Sequence, residues 1–248
     1  MKKVTLLCGM LLALSAVSAS AAGLNLRWTS CYGDGGAQNR TSACTSNLGS
    51  AGLMAASFVL PSAGVLQASG IELLLDVASA GATMPDWWRT TCRSGFIAVN
   101  PTISPAAINC FDWANGAAAG GLAAYNVGTL YGPTHARLLA GYAVASNNRQ
   151  DVPGTFEMFA FNTTINNTKT TGTGSCTGCT TPVCIQFSNL KMAAGIVTGA
   201  VVNGPSAPGS NYVTWQGGAG AGSNLGAGCP AATPTRNTTW GSVKSLYR

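Results

Sequence analysis

Charged residues are scarce in this chain, and histidine is nearly missing. Only 8% of the 248 residues are Asp, Glu, Lys or Arg, against roughly a quarter in ordinary soluble domains. The single histidine, His135, excludes metal sites built from several histidines. A serine triad would have to use it, and no Gly-x-Ser-x-Gly elbow is present. We therefore expect His135 to be a structural or exposed residue, not a catalytic base.

Clusters of positive charge are also missing from the sequence. The chain has 13 Lys and Arg against 7 Asp and Glu, a formal net charge of +6, but the basic residues are scattered. Proteins that bind nucleic acids usually concentrate such residues in a patch or stripe. The sequence therefore disfavours nucleic acid as a partner, and it predicts no catalytic residue, metal ligand or cofactor.

The N-terminus has the three parts of a secretory signal peptide. An apolar run from Val4 to about Ala16 follows two lysines, and small residues with Ala-x-Ala spacing end at Ala21. Serines interrupt this run before it reaches the roughly twenty apolar residues of a membrane-spanning helix. We expect cleavage after Ala21 or Ala22, which removes Cys8. The mature chain would then have no membrane span and would be secreted or held at the cell surface, in an extracellular or periplasmic location.

With residues 1–21 as the signal peptide, residues 22–248 are predicted to form one β-sandwich domain. In the stretch SGIELLLDVAS, the apolar residues from Ile71 to Val77 alternate with Glu72, Leu74 and Asp76, which is the pattern of a half-buried strand. Many short strands between Gly, Pro, Asn and Ser clusters predict an all-β, antiparallel β-sandwich of immunoglobulin, cohesin or jelly-roll type. Further strands are expected at residues 24–28, 53–60, 95–99, 136–145, 155–165, 183–187, 196–202 and 211–215.

Two segments differ from the strand pattern. The stretch NGAAAGGLAAY, residues 115–125, contains three glycines and is expected to be a loop with at most a short turn. At the C-terminus, Trp240, Val243 and Tyr247 fall at positions i, i+3 and i+7, which favours one or two turns of amphipathic helix.

An even number of cysteines remains after removal of Cys8. In an exported chain this predicts four disulfides. Local pairing favours Cys31 with Cys44 and Cys92 with Cys110, and we expect one of the three cysteines in GSCTGCTTPVC to pair with Cys229. The eight cysteines are Cys31, Cys44, Cys92, Cys110, Cys176, Cys179, Cys184 and Cys229.

The segment from Cys176 to Cys184 also admits metal or redox interpretations. A structural zinc site normally uses two close cysteine pairs, and only Cys176 and Cys179 are close. A reactive Cys-x-x-Cys begins a helix, whereas here Gly174, Gly178 and Pro182 favour turns. We therefore interpret the segment as a staple made of structural disulfides.

The tryptophans are the strongest candidates for ligand contact. Trp87, Trp88 and Trp113 follow aspartates in PDWW and FDW, in segments expected to be loops. Exposed indole faces would hold sugar rings, which predicts a carbohydrate ligand. The competing interpretation is that these rings pack in the core and cover disulfides near Cys92 and Cys110.

A second hypothesis is a secreted hydrolase that uses two carboxylates. Glu72, Asp76 and Glu157 are the candidates, and a pair of them would have to converge at roughly 5 to 10 Å. Because Glu72 and Asp76 are four residues apart on one strand face, about 13 Å separates them. The simpler interpretation is that these are solvent-facing polar positions.

The segments GTGSCTGCTTPVCI and TWGSVKSLYR resemble those of uncharacterised exported bacterial proteins that carry a similar CxxCxxxxC segment and TWGxVKxLYR ending. The resemblance spans the mature chain and implies export but no activity. The sandwich pattern is also similar to cohesin-like and carbohydrate-binding modules. The signal peptide, the even number of cysteines, the strand pattern and the shortage of catalytic side chains predict an exported, non-catalytic binding or structural module whose partner is a polysaccharide or another surface protein. A third hypothesis is a subunit of an extracellular assembly that docks through WGSVKSLYR.

Overall fold

The computed structural model describes residues 22–103, 110–129 and 132–218. Within these ranges the chain forms 13 strands in two sheets and two single-turn 3₁₀ helices, Asp86–Trp88 and Ser146–Asn148. In chain order the strands are β1 Gly23–Trp28, β2 Asn39–Arg40, β3 Ser50–Val59, β4 Val65–Ser79, β5 Ile97–Asn100, β6 Phe111–Asp112, β7 Ala119–Val127, β8 His135–Ala143, β9 Gln150–Val152, β10 Glu157–Asn166, β11 Val183–Ala194, β12 Val197–Asn203 and β13 Tyr212–Trp215.

The two sheets have five and eight strands. The first has the order β1-β3-β10-β5, with β6 beside β10. The second has the order β2-β13-β11-β4-β8-β7, with β12 beside β11 and β9 beside β4. Every pair is antiparallel except β6 with β10 and β2 with β13. The prediction of an all-β, sandwich-like fold is confirmed, and the two parallel pairs are additions to it.

The main core lies between the sheets. Leu73 and Leu75 of β4 are buried there, together with Leu24 of β1 on the other sheet. Phe161 of β10 and Phe187 of β11 meet edge to face, with ring centroids 5.4 Å apart. Burial of such side chains contributes roughly 1.5 to 3 kcal/mol each, so the alternating pattern fixes which face of each strand turns inward.

Asp76 corrects the expectation of a solvent-facing polar position. Its carboxylate is buried and accepts two hydrogen bonds from Arg137, at 2.7 and 3.0 Å, and one from the Ser188 hydroxyl at 2.6 Å. The pairing of β4 with β8 places Arg137 directly opposite Asp76. A buried carboxylate needs such partners, because desolvation of an unpaired charge is costly.

The glycine-rich stretch expected as a loop is also different in the structure. Residues Ala119–Val127 form β7, an edge strand paired with β8. Gly120 adopts φ +145° there, and a Cβ on it would lie 2.1 Å from the Gly141 carbonyl oxygen. Backbone pairing with a well-formed neighbour thus outweighs the low strand propensity of this sequence.

The disulfides confirm a stapled fold but correct its connectivity. The pairs are Cys31–Cys110, Cys44–Cys179 and Cys92–Cys176, with sequence separations of 79, 135 and 84 residues. Both local pairs predicted from the sequence, Cys31 with Cys44 and Cys92 with Cys110, are therefore wrong. Strand pairing brings distant loops together, so closeness along the chain is a poor guide to closeness in space.

Several predictions concern residues beyond the described ranges. The signal peptide, the C-terminal helix and Cys229 all lie there and stay predictions. In the described part, no helix is both long enough and apolar enough to cross a membrane.

Candidate functional site

The structure corrects the expectation that the candidate tryptophans present exposed faces. Trp87 and Trp88 are 0% exposed and Trp113 is 1% exposed. Their placement matches the alternative of core packing. No ring face of these three residues is available at the surface to stack on a sugar.

Trp87 is held by stacking on both sides. It lies against Trp215 with centroids 5.2 Å apart, and the Arg93 guanidinium lies 3.7 Å from its ring centroid. Arg93 also donates to the backbone carbonyls of Thr168 and Trp87, at 2.7 and 2.6 Å. Burial lowers the pKa of this guanidinium to about 10. Trp87, Trp88, Trp215 and Arg93 thus form a structural cluster.

The three candidate catalytic carboxylates are divided between the two sheets. Glu72 and Asp76 are on β4, whereas Glu157 is on β10. Glu72 pairs with Lys191 at 3.1 Å. Glu157 accepts from the backbone N–H groups of Tyr32 and Gly33, at 3.0 and 2.8 Å. Each carboxylate is committed to its own partner, which is unlike a converging catalytic pair.

The segment from Cys176 to Cys184 anchors two other parts of the chain. Cys176 bonds to Cys92 and Cys179 bonds to Cys44. Cys184, in β11, is disulfide-bonded as well. The staple interpretation agrees with this arrangement. The described residues contain no group of three or more His, Cys, Asp or Glu side chains placed to hold a metal ion.

The strongest candidate site is a groove between β6 and β9, which we call the phenylalanine groove. It has a volume of about 320 Å³. Phe111 and Phe156 line it, and their side chains are 70% and 56% exposed. It also contains Asp112 and Asp151. The remaining lining residues are Trp113, Gln150, Val152, Pro153 and Met158.

Local hydrogen bonds fix both aspartates at the groove. Asp112 closes a turn by accepting from the N–H groups of Ala114 and Gly116, at 2.9 and 2.7 Å. Asp151 accepts from the Gln67 N–H at 2.9 Å. In the described part of the chain, neither carboxylate takes part in an ion pair. The groove therefore combines apolar surface with uncompensated negative charge.

Trp113 adds a donor at the groove. Its indole is 1% exposed, and its N–H has no hydrogen-bond partner among the described residues. The Gln150 side chain donates to the Trp113 carbonyl, which ties the two walls together. A buried donor without a partner is uncommon in folded proteins.

A second groove of about 340 Å³ is lined by β4, β8 and the β11–β12 hairpin. Ile196, at the hairpin tip, is fully exposed, and the Tyr142 hydroxyl is buried without a partner in the described structure. The ion pair of Glu72 with Lys191 lies in this groove and neutralises its charges. This second groove therefore attracts charged ligands less strongly than the phenylalanine groove does.

Fold and groove together define the molecule as a disulfide-stapled β-sandwich with an aromatic and acidic surface groove. Comparison with family models, curated proteins and solved structures finds no match to this chain. Function is therefore inferred from the residues that line the groove.

Sequence reasoning missed Phe111 and Phe156. It considered the stretch CFDWANG for its tryptophan, but the Asp112 turn tucks Trp113 inward and leaves Phe111 outside. One sequence signal was available, since Phe111 directly follows Cys110, and neighbouring residues of a strand point to opposite faces. Phe156 has no comparable signal.

Proposed function

We propose that the protein is an exported, non-catalytic binding module whose phenylalanine groove holds an extended polypeptide segment that is apolar and positively charged. The observation that carries the proposal is the pairing of two exposed phenyl rings with two carboxylates that lack a cationic partner in the described structure. Phenyl rings favour apolar and aromatic side chains, and cations also interact with their faces.

The strands that line the groove favour a polypeptide over a sugar polymer. In the described structure β6 pairs only with β10, and β9 pairs only with β4. Each strand thus keeps one backbone edge without a strand partner, and such edges accept extended peptides. A polysaccharide remains the second candidate, because phenyl rings also contact the apolar faces of sugars.

Export is supported by the N-terminal sequence and by the disulfides. Three disulfides join residues 79 or more positions apart, which is typical of oxidising compartments. The hydrolase alternative has less support, because Glu72 and Asp76 lie on one sheet and Glu157 on the other, and each carboxylate has its own partner.

A labelled peptide of alternating lysine and tryptophan would test this proposal by fluorescence anisotropy. We expect it to bind the mature protein, and we expect Phe111→Ala with Phe156→Ala to weaken binding about tenfold or more, since each ring contributes on the order of 1 kcal/mol of apolar burial. Asp151→Asn should weaken binding by a smaller factor, because an exposed charge contributes about 0.2 to 1 kcal/mol.

Two controls make the result specific. Leu48→Ala removes a side chain that is 82% exposed outside the groove, and it should leave binding unchanged. A peptide with glutamate in place of lysine should not bind. Equal binding of both peptides, or no effect of the phenylalanine substitutions, would contradict the proposal. Retention on chitosan or cellulose that depends on Phe111 and Phe156, without peptide binding, would favour the polysaccharide candidate.

A further inference from the structure

Residues 219–248 of this chain have the chemistry that the phenylalanine groove requires. They contain Arg236, Lys244 and Arg248 and no Asp or Glu. All seven acidic residues of the chain lie instead in residues 22–218, where eight Lys and Arg nearly balance them. Trp240, Val243 and Tyr247 supply apolar groups between the three cations. This segment is thus the most basic aromatic stretch of the mature sequence.

The described chain ends far from the groove. Gly218 lies beside Val183, which pairs with Ser79 at the C-terminal end of β4. The groove lies at the N-terminal end of β4, where Val65 pairs with the groove residue Val152. At roughly 3.3 Å per residue, the 15 residues of β4 span about 45 Å, so the two sites lie at opposite ends of this strand.

From these observations we infer that the phenylalanine groove of one molecule binds residues 236–248 of a second molecule, head to tail, as an extended segment and not as the short helix that the sequence pattern favours. The inference depends on the proposed function, because it names the partner of the same groove. Opposite charge favours the pairing, since three cations of the segment meet Asp112 and Asp151. Each molecule offers one segment at one end and one groove at the other, so the contact can repeat and form an open chain of subunits.

The predicted fourth disulfide favours a second molecule over the same one. If Cys229 pairs with Cys184, which lies opposite Ala78 near the C-terminal end of β4, the docking residues start from that end. The 11 residues from Cys229 to Trp240 reach at most about 40 Å when fully extended. Arg236, the first residue of the docking segment, is only seven residues from Cys229 and reaches roughly 25 Å at most, which is well short of the molecule's own groove at the far end of β4. The whole segment therefore fits a neighbour's groove, which can be placed beside it, and not its own.

Sedimentation velocity of the mature full-length protein over a wide concentration range would test the inference. We expect self-association that weakens with added salt. Trp240→Ala with Tyr247→Ala should weaken it about tenfold or more, and so should Phe111→Ala with Phe156→Ala. Leu48→Ala is the matched control and should associate like the unmodified protein. All substituted side chains of the groove are exposed, so loss of folding would not explain a loss of association.

Mixing the variants gives the sharpest result. The segment variant keeps an intact groove and the groove variant keeps an intact segment, so the mixture should form dimers that grow no further. Unchanged association of both variants would overturn the inference, and so would a monomer at every concentration. If that monomer still binds the lysine–tryptophan peptide through Phe111 and Phe156, only the head-to-tail contact fails. If it binds neither that peptide nor a synthetic peptide of residues 236–248, the proposed function fails too.

Discussion

At the scale of single residues, Tyr142 shows how a buried polar group affects stability. Its ring is 4% exposed, and its hydroxyl has no hydrogen-bond partner in the described structure. Removal of an unpartnered buried hydroxyl removes a desolvation cost without breaking a hydrogen bond. We expect Tyr142→Phe to raise the free energy of unfolding at neutral pH by about 1 kcal/mol. Urea unfolding monitored by fluorescence would measure it.

The same residue makes stability depend on alkaline pH. Burial raises the pKa of the Tyr142 hydroxyl above its usual value of about 10, so the folded protein retains a proton that the unfolded chain releases. The resulting stability is complete below pH 10 and is lost as the pH rises above it, by at most about 1.4 kcal/mol per pH unit for one group. Tyr142→Phe should make this decline shallower. Leu48→Ala, which alters an 82% exposed side chain without a titratable group, is the control and should leave the slope unchanged. An unchanged slope in Tyr142→Phe would contradict the assignment.

The sequence is least informative at this scale. It identifies the six tryptophans but not which of them are covered, because burial depends on contacts between distant segments. Trp87 is covered by Trp215 and Arg93, and nothing near Trp87 in the sequence shows this. Phe111 and Phe156 were missed for the same reason, since the turn at Asp112 decides which neighbouring ring faces outward.

At the scale of elements, the alternation of apolar and polar residues predicts a strand well where one face of that strand is buried. β4 and β10 were expected on this basis and are present, because each carries a row of core side chains. β7 was missed, since it has few such side chains and forms by backbone pairing at a sheet edge. A strand that buries one face shows alternating apolar and polar residues in the sequence. A strand that forms only by backbone pairing leaves no such pattern.

The disulfide Cys92–Cys176 links the 3₁₀ helix region to the loop before β11. It closes a separation of 84 residues, for which the entropy of the unfolded chain predicts a contribution of about 4 kcal/mol. We expect Cys92→Ala with Cys176→Ala to lower the free energy of unfolding by about that amount, as measured by guanidinium unfolding. The near-ultraviolet circular dichroism should be preserved, because Arg93 still holds Trp87.

Cys31→Ala with Cys110→Ala is a matched comparison for this prediction. Its separation of 79 residues is nearly the same, so the two double variants should lose similar stability if chain entropy is the main cause. A loss below about 1 kcal/mol for the Cys92–Cys176 variant would contradict the entropic account. A much larger loss there than for Cys31–Cys110 would instead show that the tryptophan cluster depends on the bond.

At the scale of the whole molecule, Cys184 is the described cysteine that we expect to hold the C-terminal segment. The sequence predicts that Cys176, Cys179 or Cys184 holds Cys229, and the structure commits Cys176 and Cys179 to other partners. We therefore expect a Cys184–Cys229 bond in the mature protein. Proteolysis without reductant, followed by mass spectrometry, should yield one peptide pair joined through these residues. Intact mass should show removal of the signal peptide, and with it Cys8, together with a loss of about eight hydrogens relative to the reduced chain.

The outcome bears directly on the head-to-tail contact. A Cys184–Cys229 bond fixes the start of the docking segment at the end of β4 away from the phenylalanine groove, so the segment is presented to a neighbour. A free Cys229 thiol would contradict the prediction and would let all 30 residues after Gly218 extend from the sheet. That length reaches roughly 100 Å, enough for the segment to meet the molecule's own groove. The same covalent bond that stabilises the fold would therefore decide between self-contained docking and assembly.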